Sequence, residues 1–260
     1  MPPLISVITP SHNPGSTLEV ALDSVAAQDY PAVEHIVVDG GSTDGTVELL
    51  QKRDGIRWVS EPDRGLAHAM NKGFEMARGA IVGELNADDI YLPGTLAAVA
   101  EGFERNPGAE WLTGRCPIIG AGGAEIRKPI TAYKNALLRR YSLRLYLTQN
   151  FISAPATFFR TQVVCELGGF DERYTISVDY DLQLKLARRG DPVVLDRDLA
   201  CFRMVEGTLS MSGFEEQFRE HTEQARRHGD GHPIPVAANR AISRMIVWTY
   251  RGMRAVRRPT

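Results

Sequence analysis

Cysteine is scarce in this chain of 260 residues: Cys116, Cys165 and Cys201 are the whole set, and they stand too far apart for a C-x-x-C motif. So sparse and odd a count excludes a disulfide scaffold and points to a reducing compartment, the cytoplasm. No run approaches the roughly 18 uninterrupted apolar residues of a membrane span. The opening Met1-Pro2-Pro3-Leu4 lacks the basic start of a secretory signal. Net charge is nearly absent too, with 30 basic and 32 acidic side chains giving −2. Against these absences, 43% hydrophobic residues exclude intrinsic disorder and supply a substantial core. The charge is unevenly placed. Residues 237–260 hold Arg240, Arg244, Arg251, Arg254, Arg257 and Arg258 and no acid, which leaves 24 basic against 32 acidic side chains before them. An acidic body disfavours nucleic-acid binding, and the basic tail points to an anionic surface.

The first half alternates apolar β-branched runs with helical stretches. Strands are expected at Leu4–Thr9, Val33–Val38, Ile56–Val59 and Ala80–Leu85. Helices follow each: one after Ser16 or Thr17 with Leu18, Ala21, Leu22 and Val25 on its apolar face, one around Val47 to Leu50, then Leu66–Ala77 and Gly94–Phe103. This order implies an α/β fold with a mainly parallel central sheet flanked by helices, whose ligands bind beyond the carboxyl ends of the strands. The second half is less regular. Strands are expected at Trp111–Ile119, Ala124–Pro129, Ala156–Arg160, Val193–Leu195 and Cys201–Val205. Helices are expected at Asn135–Leu147 (basic and amphipathic), Val178–Arg189, Phe214–His228 and Ala237–Arg257, with a break near Gly229–Pro235.

Polar clusters fall at the strand ends. Asp88 and Asp89 directly follow an apolar strand, and adjacent acids repel unless a cation or donors sit between them. They read either as a divalent-cation site or as a solvated turn before a helix. Asp39, followed by Gly40 and Gly41, reads as a turn or as a nucleoside contact; the run is not G-x-G-x-x-G. Asp179 opens a helix, and by spacing alone it is an N-terminal cap. His228 and His232, separated by Gly229-Asp230-Gly231, read as solvated loop residues, and His35 and His68 as structural.

Taken together, these segments resemble the family-2 glycosyltransferases. Ile5-Ser6-Val7-Ile8-Thr9-Pro10-Ser11-His12-Asn13 is similar to their first strand and nucleotide loop. Val37-Val38-Asp39-Gly40-Gly41-Ser42-Thr43-Asp44-Gly45-Thr46 is similar to their second-strand signature. Ser60 to Gly65 with Ala69 to Gly73, Leu85-Asn86-Ala87-Asp88-Asp89 through Gly94, and Gly168 to Glu172 with Val178 to Leu182 follow in the family's order. The resemblance implies the GT-A nucleotide-diphospho-sugar transferase fold. It implies one catalytic domain over residues 1–228 (1–115 nucleotide-binding, 116–228 acceptor-binding) and a basic amphipathic helical extension over 229–260. It further implies an inverting transferase that moves a sugar from a nucleotide-diphosphate donor to a hydroxyl of a glycan or lipid-linked acceptor. Thr9, Pro10, Ser11 and Asp39 would hold the nucleoside, with Asp39 on the base; Asp63, Arg64 and Asn71 would lie near the nucleotide or donor sugar. Asp88 would contact ribose or sugar, Asp89 would coordinate Mn²⁺ or Mg²⁺ on the diphosphate, and Asp179 would be the general base, with Asp181 its structural neighbour. Many relatives carry two acids where this chain has Asp39-Gly40, so the base preference is left open.

In the tail, Ile242, Met245, Ile246, Thr249, Met253 and Val256 fall on one helical face and arginines on the other. Two readings fit: a helix lying on the cytoplasmic face of the inner membrane, or a helix docked on the body. A sugar-phosphate nucleotidyltransferase is the alternative enzyme, but residues 9–17 hold no Arg or Lys for a triphosphate loop. A catalytically silent nucleotide-sugar-binding protein is the alternative without chemistry.

Overall fold

The computed structural model describes residues 1–205 and 213–256. Arg257 and Arg258 of the tail lie outside them. Strands β1 (Ile5–Ser11), β2 (Val33–Asp39), β3 (Ile56–Ser60) and β4 (Ile81–Glu84) alternate with helices α1 (Thr17–Ala26), α2 (Thr46–Gln51) and α3 (Leu66–Met76). The short β5 (Ile90–Tyr91) and helix α4 (Thr95–Arg105) complete the first half. Next come β6 (Trp111–Arg115), β7 (Ile118–Ile119), α5 (Lys128–Leu138), α6 (Leu143–Tyr146), β8 (Thr157–Arg160), α7 (Thr161–Glu166), α8 (Val178–Ala187), β9 (Val193–Asp198) and β10 (Ala200–Arg203). Helices α9 (Phe214–His228) and α10 (Pro233–Val256) follow.

The main sheet has seven strands in the order β3-β2-β1-β4-β8-β6-β9. β1 pairs in parallel with both β2 and β4, and β2 with β3; β8 runs antiparallel between β4 and β6. Chain order reverses across β1 and β4, and that reversal opens a crevice at their carboxyl ends. A smaller sheet, β5-β10-β7, closes one side of it. β1 is buried along its whole length, as expected of a strand covered on both faces. Leu18, Ala21, Leu22 and Val25 are the buried face of α1. Helix α3 approaches β1 so closely that a Cβ at Gly73 would lie 2.3 Å from Ile8 Cγ2, which explains a glycine inside a helix. Helix α8 is buried nearly all round.

The second half departs from the sequence reading in several places, including helix α7, which the sequence did not suggest. Trp111–Ile119 is two strands, because β7 leaves the main sheet to pair with β10. Ala124–Pro129 forms no strand beyond one bridge, Ile119 to Glu125. Instead, Pro129 stands in the first turn of α5, where its missing N–H costs nothing. The helix expected at Asn135–Leu147 breaks after Leu138 and restarts at Ser142, whose hydroxyl accepts from Leu145 N. The break before the last helix is shorter than expected, since Pro233 begins α10.

Candidate active site

The crevice is a cleft of ≈ 1530 Å³ lined from both halves of the chain. Pro10, Ser11, Asp63, Asp88 and Asp179 all face it, brought together from four chain segments. Thr9, Asp39, Arg64, Asn71 and Asp89 do not line it. Each of those five has partners elsewhere. Thr9 Oγ1 hydrogen-bonds His35 Nε2 at 2.9 Å inside the sheet. Asn71 accepts from Phe170 N (2.8 Å) and donates to Phe170 O (3.0 Å), pinning the loop before α8. Arg64 pairs with Glu172 at 2.7 Å on the surface.

Asp39 is buried, and its carboxylate accepts from Gly41 N (3.1 Å), Ser42 N (2.9 Å), Ser42 Oγ (2.5 Å) and Ser60 Oγ (2.6 Å). These bonds fold the β2 loop and leave the carboxylate no free face. The space beside it belongs to Asp63: a Cβ at Gly40 would lie 2.6 Å from Asp63 Oδ2 and 3.3 Å from His12 Nδ1. A side chain at position 40 would therefore displace the end of the Asp63 side chain. A second acid at position 40 would strike the carboxylate that already occupies that corner.

Asp89 is likewise buried, its Oδ1 accepting from Arg203 N (2.8 Å) and its Oδ2 from Asn86 Nδ2 (3.1 Å). Burial, and then Asp88 beside it, push its carboxyl well above the usual range. Burial also raises Asp88, the acid of the pair that faces the cleft. A desolvated carboxyl held against a second acid is a site that a cation relieves. Among the described residues no three His, Cys, Asp or Glu side chains form a cation cage. Asp88 on the cleft with Asp89 behind it is a donor set that suits a hard divalent ion, which takes one or two carboxylates from a protein.

Asp179 enters the cleft from the first turn of α8. Burial raises its carboxyl to about 6, while backbone N–H groups, the Asn150 side chain and the Lys134 charge pull the other way. Lys134, itself lowered by burial, donates to Ser153 Oγ at 2.8 Å. A carboxylate poised near neutral pH is suited to accept a proton.

The loop that presents Asp179 is held by α9. Glu220 is buried and accepts from Thr175 N (2.7 Å), Thr175 Oγ1 (2.9 Å), Ile176 N (3.1 Å) and Ser177 N (2.8 Å). Gln224 Nε2 donates to Ser177 O at 2.7 Å. One turn into α8, Asp181 is flanked by His228 Nε2 (2.7 Å) and Lys185 Nζ (2.8 Å), which hold it below the usual range against its burial. His228 is accordingly a buried partner, not a solvated loop residue.

Helix α10 packs on the body. Phe214 and Tyr250 rings meet at 4.2 Å, Arg127 donates to Tyr250 Oη at 2.7 Å, and Asn239 donates to Leu147 O at 3.1 Å. Ile242, Ile246 and Tyr250 line the far end of the cleft, whereas Met245 and Trp248 face outward beside Arg240 and Arg244. The described part of the expected apolar face is split between these two surroundings, and Met253 and Val256 lie outside the described side chains. Sequence reasoning missed Glu84, Lys134, Glu220 and Gln224. Only Glu84 carried a signal, as an acid inside the apolar run Ile81 to Leu85.

The comparisons agree with this architecture. Residues 6–167 match the family model described as glycosyl transferase family 2. An uncharacterized glycosyltransferase of Mycobacterium tuberculosis is 33% identical over 200 residues, covering 74% of this chain and 72% of its own. Chondroitin synthase of Escherichia coli is 26% identical over 196 residues, 72% of this chain but only 27% of that protein. Among solved structures, S. aureus TarS in complex with UDP-GlcNAc superposes with a TM-score of 0.67 at 21% identity, covering 85% of this chain and 66% of that one. A mannosyltransferase from Pyrobaculum calidifontis, in complex with GDP-Man and Mn²⁺, gives 0.67 at 24% identity over 92% of this chain and 69% of its own. The mainly parallel sheet between helices is the GT-A fold, and the chain belongs to the family-2 glycosyltransferases.

Proposed function

We propose that the protein transfers a sugar from a nucleotide-diphosphate donor to an acceptor hydroxyl, with inversion at the anomeric carbon. The observation that carries the reading is the cleft shared by Asp88 and Asp179, one acid at the carboxyl end of β4 and the other at the head of α8. Pro10, Ser11, His12 and Asp63 surround the nucleoside end, and Asp63 takes the base-reading place that the sequence suggested for Asp39. Asp88, which lines the cleft, would hold a divalent cation, the role the family resemblance implies for Asp89, and Asp89 would buttress it from behind. When bound, the cation would supply charge neutralisation for the departing diphosphate. Asp179 accepts the proton of the attacking hydroxyl from the other side of the sugar. A single base and no covalent sugar–enzyme intermediate give inversion, by the geometry of inverting glycoside hydrolysis.

The acceptor is a glycan or a lipid-linked glycan. Support comes from the apolar far end of the cleft, formed by Phe214, Phe218, Ile242 and Ile246. It also comes from the outward face of α10, where Arg240 and Arg244 flank exposed Met245 and Trp248. An arginine-and-tryptophan face suits the interface of an anionic membrane. No described helix is long and apolar enough to cross one.

Thermal stabilisation by UDP, GDP and dTDP with and without Mn²⁺ identifies the base, and the matching nucleotide sugars then serve as donors. Stabilisation by none of the three contradicts the transferase reading. Flotation with anionic liposomes tests the membrane contact: Arg240→Glu with Trp248→Ser should abolish it, and unchanged flotation removes α10 from the interface.

A further inference from the structure

Glu84 ends β4 in the floor of the cleft, 2% exposed. Its Oε2 is buried and has no hydrogen-bond partner among the described residues. Its backbone is accounted for, with the Tyr91 hydroxyl donating to Glu84 O at 3.4 Å, but this bond does not reach the carboxyl. A buried acid without a partner is costly, and an apolar residue at this position would remove the cost. The fold therefore gives no reason for the carboxyl, which faces the substrate space.

We propose that Glu84 contacts the substrate by taking a hydroxyl of the sugar undergoing transfer. The inference rests on the transferase reading and deepens it. In that reading the diphosphate leaves on the side of Asp88 and the attacking hydroxyl arrives on the side of Asp179, so the sugar ring lies between them. Glu84 stands four residues before Asp88 on the strand that delivers it, close enough to Asp179 to feel its charge. Burial, with the charges of Asp179 and Asp89, holds the Glu84 carboxyl well above the usual range. A carboxyl accepts from a sugar hydroxyl in either form and also donates to one when protonated. Asp179 and Glu84 thus divide one floor into a proton acceptor and a hydrogen-bonding anchor.

Glu84→Leu and Glu84→Gln separate this role from a structural one. The probes, titrated calorimetrically with Mn²⁺, are bare UDP and GDP and their glucose, N-acetylglucosamine and mannose conjugates. Glu84→Leu should bind the bare diphosphate within about twofold of the wild type. It should lose about tenfold in affinity for the best sugar conjugate, as expected for one lost hydrogen bond. Its melting temperature should not fall. Glu84→Gln, which still donates and accepts, should retain most of the lost affinity. Equal loss for bare and conjugated diphosphate, or no loss for the conjugate, overturns the proposal while leaving the transferase reading intact. Failure of the wild type to bind any of the probes, with dTDP failing as well, overturns both.

Discussion

Glu220 offers the sharpest link between fold and chemistry, because it lies on α9 and never enters the cleft, yet holds the backbone that presents Asp179. In Glu220→Ala three backbone N–H groups, those of Thr175, Ile176 and Ser177, lose their acceptor. Hydrogen bonds to a charged group are worth about 1.5–3 kcal/mol each, and partial rehydration of the loop recovers some of the sum. A net loss of about 4 kcal/mol is expected for alanine. Glutamine keeps an acceptor for Thr175 but turns an amide N–H₂ toward Ile176 and Ser177, so about 2 kcal/mol is expected. For a chain of this size, roughly 2–4 °C per kcal/mol translates these into drops of about 4–8 °C for Gln and 8–16 °C for Ala. Differential scanning fluorimetry measures the drop. Turnover at a temperature where both proteins are folded measures the second effect, a lower kcat with an unchanged donor KM. A Glu220→Gln protein melting within about 1 °C of the wild type, with normal kcat, refutes the clamp.

Three further outcomes follow from the same geometry. Since Asp179 is raised to about 6, kcat/KM should fall about tenfold per pH unit below that value and level off above it; a flat pH profile from 5 to about 8 removes Asp179 as the base. Burial raises this acid, so its contribution to stability is complete below the unfolded value of about 3.9 and lost as pH rises through about 6. Asp179→Asn should therefore be inactive but more stable than the wild type by about 3 kcal/mol at pH 8, an advantage that shrinks to nothing near pH 3 in urea titrations. Gly83→Ala places a Cβ 2.5 Å from Phe158 Cε1 and 2.7 Å from Tyr91 Oη, and overpacking of that kind should cost about 1–3 kcal/mol; an unchanged urea midpoint would show that this part of the core yields.

Most of the first half was legible because its longer elements each have a single dominant signal; the two-residue β5, formed by pairing with β10, was not expected. β1, β2 and β4 are apolar β-branched runs, and α1 shows its buried face as a periodic stripe. The second half was less so because its elements are defined by neighbours distant in sequence. β7 exists by pairing with β10, and α5 and α6 are separated by a turn whose cap, Ser142, sits within a continuous amphipathic pattern. Motif spacing located the acids at strand ends, but which of them faces the cleft depends on partners such as Arg203, Ser42 and Ser60. Asp89 and Asp39 were drawn inward by those partners, leaving Asp88 and Asp63 on the cleft. The tail shows the same limit. Periodicity found the helix but could not say that Ile242 and Ile246 would line the cleft while Met245 stays outside.

The division of labour between the two cleft acids is tested most directly by one paired measurement. Mn²⁺-dependent affinity for the nucleoside diphosphate and the rate of sugar transfer are determined for Asp88→Asn and Asp179→Asn side by side. Asp179→Asn should bind the diphosphate as the wild type does and lose transfer by a factor on the order of 10³. Asp88→Asn should lose the Mn²⁺-dependent part of the binding itself. The account is contradicted if Asp179→Asn keeps substantial turnover, or if Asp88→Asn binds the diphosphate with undiminished dependence on the metal.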